Sequence, residues 1–284
     1  MKKRILSCFM TLALCLTLLP TAALAAEGHQ HCVCGKTEHV DISGHTGESQ
    51  ITFDKWLASS GSNTLEVSQE GKQYGDGQKP VGEKYVLPAG DSTADNYYLN
   101  GNTKIDHPIQ IKGNVTICLN GHTIESTAEG KPVFEVASGS TLTLTDCGSA
   151  GKVTSAYNGG GVEVNGGTFN LYGGSITKNT AANGGGVYVY NRGEFNMYGG
   201  AKITDNTATK GGGVKVESGG NFNMYGGEIA YNKSEGENSS GGGVYVYDGT
   251  FTMSGGTISR NTANSANGAD GGVGVYNDAE FTMS

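Results

Sequence analysis

From Gly159 to Ser284 the chain writes nearly one line five times, opening on Val162, Val187, Val214, Val244 and Val273 at spacings of 25, 27, 30 and 29 residues. Each copy carries a Gly run, a Val-x-Val, a short turn, a Phe-x-(Leu or Met), a second Gly-rich step, and then, in the first four, an Ile three residues before an Asn. Self-similarity at this period means a solenoid, because each repeat buries its apolar face only against its neighbours. Within a copy the apolar residues alternate with polar ones, as in Val187 and Val189 or Phe195 and Met197. Period two predicts strands, and the recurrent Gly-Gly disfavours helical repeats of similar length.

Three short strands separated by Gly-rich corners make one coil of a parallel β-helix. The expected fold is therefore all-β: a right-handed parallel β-helix solenoid in which Val stacks on Val and Phe on Phe. Asn179, Asn206, Asn232 and Asn261 form a column that fits a side-chain amide ladder at one corner, each bond worth ~0.5–1.5 kcal/mol net. The 48 Gly against 5 Pro belong to tight bends with positive φ, since a disordered or collagen-like chain would carry excess Pro as well. A nucleotide loop is the weaker reading, because no Lys or Ser/Thr follows the Gly run at the required offset.

The lines GGGVYVYDGTFTMSGGTISRNTA and VTICLNGHTIESTAEGKPVFEVASGSTLTLTDC resemble the pectin-lyase-like, right-handed parallel β-helix repeats of secreted bacterial surface proteins. They are also similar to the Gly-Gly and Ile-x-x-Asn repeats of polymorphic outer-membrane adhesins. The resemblance spans about residues 95–284 and implies a fold; such repeats occur in lyases and in inert adhesins alike. The domain organisation expected is a signal peptide over 1–25, a His/Cys leader over 26–48, an irregular N-terminal cap over 49–94 and the solenoid over 95–284. Phe281-Thr282-Met283-Ser284 repeats Phe251-Thr252-Met253-Ser254 without the following Gly-Gly, so a chain truncated mid-coil is expected.

Lys2, Lys3 and Arg4 precede an apolar run from Ile5 to Leu19, then Pro20 and Ala23-Leu24-Ala25, the pattern of a secretory signal cut before Ala26. Fifteen apolar residues are short for a hydrocarbon core, so no transmembrane helix is expected once the signal is removed, and the protein is expected outside the bacterial cell or on its surface. The 19 Lys and Arg against 27 Asp and Glu give a net charge of −8, and loss of Lys2, Lys3 and Arg4 takes it to −11. An acidic surface excludes nucleic acid as a partner.

His29, His31, Cys32, Cys34, His39 and His45 are the densest ligand set in the chain, with zinc as the candidate metal. The Cys-x-Cys spacing departs from the usual Cys-x₂-Cys, and a polar leader with oxidised or idle thiols is the other reading. No other cofactor is implied. A His-Cys-x-Cys-Gly opening also occurs in the secreted β-helix proteins that the chain resembles, and that resemblance supplies no role for it. Cys118 and Cys147 fall about one coil apart with a two-residue offset, so they are either a disulfide stapling adjacent coils or thiols held too far apart to bridge.

Function must reside in outward positions. Between the inward valines stand Glu163, Tyr188, Lys215, Tyr245 and Gly274, followed by Asn165, Tyr190, Glu217, Tyr247 and Tyr276. Tyr188, Tyr190, Tyr245, Tyr247 and Tyr276 are candidate contacts for a polysaccharide or cell-surface glycan, since aromatic faces beside polar groups grip sugars. The competing reading is structural, because stacked tyrosines stabilise strands without a ligand. These features suggest an exported stalk or adhesin. The alternative, a polysaccharide lyase or glycoside hydrolase with its catalytic face incomplete in this chain, needs clustered acids, and no pair of carboxylates is expected to recur on adjacent rungs.

Overall fold

A computed structural model describes residues 29–32, 50–53, 55–59, 65–69, 72–73, 84–88, 93–265 and 270–284. Among these the chain is all-β, its strands joined by short turns and wound as a parallel β-solenoid of about 7 turns. No described helix is long and apolar enough to cross a membrane.

Eight Val-type strands, Tyr85–Leu87, Ile109–Ile111, Phe134–Val136, Val162–Asn165, Val187–Tyr190, Val214–Glu217, Val244–Tyr247 and Val273–Tyr276, stack in chain order as one parallel sheet. The first of them lies in the stretch where only a cap was expected. Its outlines are too short and isolated to read as a repeat, yet Tyr85 pairs with Ile109 and Leu87 with Ile111. The expected cap region also contributes strand Lys55–Ser59, which pairs antiparallel with Leu65–Gln69 and parallel with Ala94–Leu99, so it continues the neighbouring sheet, the one that carries the Phe strands, beyond the first full coil.

The Phe strands form the second wall. Phe169, Phe195, Phe222, Phe251 and Phe281 stack with centroids 5.0, 4.7, 4.6 and 4.8 Å apart, close to the ~4.8 Å strand spacing. The first four are fully buried, each side chain contributing ~1.5–3 kcal/mol from burial plus ~0.5–1.5 kcal/mol from ring contact. Val115 and Leu142 continue the same column through earlier coils, in register with Phe169.

The third wall carries the Ile column, Ile124, Val153, Ile176, Ile203, Ile229 and Ile258. In two coils it is continuous with the Phe wall, as Thr168–Thr177 and Glu194–Thr204, and the Gly-Gly read as a corner is a bulge between Leu171 and Gly173. Where the walls separate, Gly227 has φ of 92° and a Cβ there would sit 2.6 Å from the Ala201 carbonyl oxygen, so only glycine fits.

A fourth, short parallel ladder accompanies these three: Thr180–Asn183, Thr207–Lys210, Lys233–Glu235 and Thr262–Asn264. Its alternation is of Thr with Ala or Ser, too weakly apolar to announce a strand. Spacing along a coil is nearly constant except in one arc: Asn179 to Val187 and Asn206 to Val214 take 8 residues, Asn232 to Val244 and Asn261 to Val273 take 12.

The Asn corner is built as a ladder. The Asn206 amide donates to Asn232 Oδ1 at 2.9 Å and to the Ile176 carbonyl at 3.0 Å, while its own oxygen accepts from the backbone and side-chain nitrogens of Asn179 at 3.0 and 2.9 Å. Asn232 and Asn261 continue the pattern. The residue before each, Lys178, Asp205, Tyr231 or Arg260, turns the chain with φ of 54 to 58°. A second ladder lies on the outer side of the Phe wall, where Asn196 donates to Asn170 at 3.0 Å and Asn223 to Asn196 at 2.9 Å.

Candidate functional site

The outer face of the Val sheet gathers the polar and aromatic groups with the most chemistry. Val162, Val164, Val187, Val189, Val214, Val216, Val244 and Val246 point into the core at 0–1 % exposure, which forces every intervening side chain outward. Register then lines up Gln110, Glu135, Glu163, Tyr188, Lys215, Tyr245 and Gly274 as one column.

This column corrects the expectation that adjacent rungs hold no carboxylate pair. Glu135 and Glu163 are direct partners between strands Phe134–Val136 and Val162–Asn165. The coil that supplies Glu135 lacks the triple-Gly opening, so alignment of the five clear copies leaves it out. Lys84, Gln110, Glu135, Glu163, Asn165 and Tyr190 line a shallow depression at this place. Lys84 is ion-paired with Glu135, and the Tyr190 hydroxyl donates to Glu163 Oε1 at 2.5 Å. Burial, and then the Glu163 carboxylate, push the Tyr190 phenol upward.

One rung on, Tyr188 and Tyr190 stack at 4.6 Å, and the Tyr188 hydroxyl donates to Glu217. Lys215 is 7 % exposed; its ammonium lies 2.5 Å from Glu217 Oε2, 3.0 Å from Asn183 Oδ1 and 5.1 Å from the centre of the Tyr188 ring. Burial, assisted by the Lys210 cation, pushes Lys215 down to about 8. Burial raises the Glu217 carboxyl.

The far end is aromatic. Tyr245 is 7 % exposed, stacked on Tyr276 at 5.0 Å and overlain by the Lys210 ammonium at 5.0 Å. Gly274 makes this stack possible: a Cβ there would lie 2.9 Å from both the Tyr276 ring and Asp270 Oδ2, so the ring occupies the space that a side chain would take. Tyr276 bonds Asp270 and, at 2.6 Å, Ser240. Tyr247 and Tyr276 are the most open of the five, at 42 and 37 %.

The five candidate tyrosines thus share one face, and most of their hydroxyls are held by carboxylates. What they offer a ligand is ring surface beside acids. The separate column Tyr172, Tyr198 and Tyr225 stacks at 4.2 and 5.2 Å on the Phe wall. Of the zinc candidates, His29, His31 and Cys32 belong to strand His29–Cys32, paired antiparallel with Gln50–Phe53; their side chains and all of Cys34, His39 and His45 lie outside the described residues, as does the signal segment. Cys118 and Cys147 are brought together, with their Sγ atoms 3.3 Å apart.

Two features were missed in reading the sequence. The Asn170, Asn196 and Asn223 ladder was readable, since the residue after Phe is Asn in three successive copies. Asp146 was not: its 2 % exposed carboxylate accepts hydrogen bonds from three backbone amides, at Gly121, Gly148 and Gly151, and this depends on loop geometry alone. Comparison with protein-family models, curated proteins and solved structures finds no match for the chain.

Proposed function

We propose that the chain is the right-handed, pectin-lyase-like β-helix of an exported bacterial surface protein, a stiff stalk or adhesin that holds glycans along the outer face of its Val sheet. The observation that supports this most is the set of tyrosine rings beside carboxylates on one face, Tyr188 and Tyr190 on one rung and Tyr245, Tyr247 and Tyr276 on two adjacent rungs beyond Lys215 and Glu217, with Tyr247 and Tyr276 open to solvent. A sugar stacks its apolar face on such a ring while its hydroxyls bond the flanking acids. The parallel stack holds these rings in fixed register, so little conformational entropy is lost on binding.

The test is a glycan array on the whole chain and on the double variant Tyr190→Ala/Tyr247→Ala. Tyr245 is left intact because it is buried and its loss would weaken the fold. Array signal is expected to disappear while the melting temperature moves by only a few degrees. Undiminished binding removes the aromatic face from the reading.

The neighbouring carboxylates Glu135 and Glu163 favour a second reading, a lyase or hydrolase acting at the depression between them. Release of reducing ends or unsaturated uronates from a polysaccharide, lost in Glu163→Gln, would replace the adhesin reading with this one.

A further inference from the structure

The two thiols lie where the solenoid turns out of its Phe wall. Cys118 ends strand Asn114–Cys118, and Cys147 follows strand Thr141–Thr145 in the next coil. Register pairs Cys118 with Thr145, which leaves Cys147 two residues past its opposite number. On an extended strand that offset would hold the sulfurs too far apart to bond.

The corner removes the offset. The Asp146 carboxylate accepts from Gly121 N at 2.6 Å in one coil and from Gly148 N and Gly151 N at 3.2 and 2.7 Å in the next, clamping the two turns together. Their backbones meet so closely that a Cβ on Gly148 would lie 2.4 Å from Gly121 Cα. This contact draws Cys147 back over Cys118, and Tyr98, 5 % exposed, packs beside them.

We infer that Cys118 and Cys147 are a disulfide-forming pair that staples two adjacent coils when the chain meets a disulfide oxidant. The 3.3 Å between sulfurs must close to ~2.05 Å, a movement within reach of side-chain rotation. Cys118 is fully buried and Cys147 only partly so, which makes Cys147 the first to react. Its thiolate attacks one sulfur of the oxidant RSSR, forming a mixed disulfide and releasing RS⁻. Cys118 then loses its proton and attacks Cys147 Sγ, releasing the second RS⁻. Two cysteine thiols are oxidised and one disulfide is reduced to two thiols.

The experiment is peptide mapping of the whole folded chain after oxidised glutathione, denaturation and alkylation, with and without prior reduction. Peptides carrying Cys118 and Cys147 are expected as a linked, unalkylated pair lighter by two hydrogens. Reduction is expected to lower the melting temperature by roughly 5–10 °C, from a closed loop of about thirty residues. A Cys147→Ala variant should melt at a temperature that reduction does not change. Alkylation of both cysteines after oxidation, linkage of either to another cysteine, or a linked pair whose reduction leaves melting unchanged would each overturn the staple. Mapping uses the unaltered chain, so the answer does not depend on whether the variant folds.

Discussion

Replacing Asn206 with Ala should cost far more stability than the same change at Asn179, although the two residues occupy the same position in neighbouring coils. An Asn side chain has two N–H donors and an oxygen that can accept two bonds. Asn206 uses all four: it donates to Asn232 and the Ile176 carbonyl, and accepts twice from Asn179. Asn179 fills its donors from Val153, Thr177 and Asn206, but its buried oxygen accepts no hydrogen bond among the described residues. The cause is visible one coil earlier, where the position three after Val153 is Ala156, which has no side-chain amide and whose backbone N–H donates to the Ser126 carbonyl.

At ~0.5–1.5 kcal/mol net per bond, Asn206→Ala should cost about 3–4 kcal/mol, including the donors left dry on Asn179. Asn179→Ala deletes the three hydrogen bonds its side-chain amide donates and also deletes a stranded acceptor, which offsets much of the loss, so roughly 1 kcal/mol is expected. Urea unfolding followed by circular dichroism measures both, with the slope compared as well, since a one-dimensional stack can lose cooperativity at a broken coil. Equal costs for the two variants would refute the view that amide satisfaction, rather than side-chain volume, holds this corner.

Gly213→Ala places a Cβ 2.5 Å from the Gly243 carbonyl oxygen, and chemical denaturation should show a loss of about 2–3 kcal/mol. Lys178 turns the chain at φ 58°, so Lys178→Gly should raise stability by roughly 0.5 kcal/mol, the relief of left-handed strain slightly exceeding glycine's entropy in the unfolded chain. Lys215 is held down to about 8 in the folded chain while the unfolded chain keeps it protonated to its ordinary 10.5; the unfolded state therefore binds more protons across that window, and stability contributed by this group rises with pH from about 8 to 10.5. Lys215→Met should abolish that rise, seen as the difference between the two melting-temperature profiles. In the opposite sense, the raised phenols of Tyr190 and Tyr198 favour the folded chain's proton, so stability falls as pH climbs past 10 in both proteins.

Columns that repeat an identical residue were legible in the sequence, because identical side chains on consecutive rungs leave one arrangement that pairs them. The Val, Phe and Ile columns and the Asn206 ladder are of this kind. Contacts made by departures from the repeat were not readable. Glu135 meets Glu163 only through a coil whose opening diverges from the others, and Cys147 reaches Cys118 only because an aspartate and two glycines pinch a corner. Tyr276 stacks on Tyr245 because of a side chain that Gly274 lacks, and a lone glycine in a glycine-rich chain draws no notice.

The arc between the Asn ladder and the Gly run, 8 residues in two coils and 12 in two others, lengthens without moving any column. It is also the arc from which Ser240 and Asp270 reach Tyr276. Length in this protein is therefore separable from register: the stack behaves as a frame, and this one seam as a socket into which new residues can be inserted beside the aromatic face. Variation there changes what the face presents while every coil keeps its neighbour.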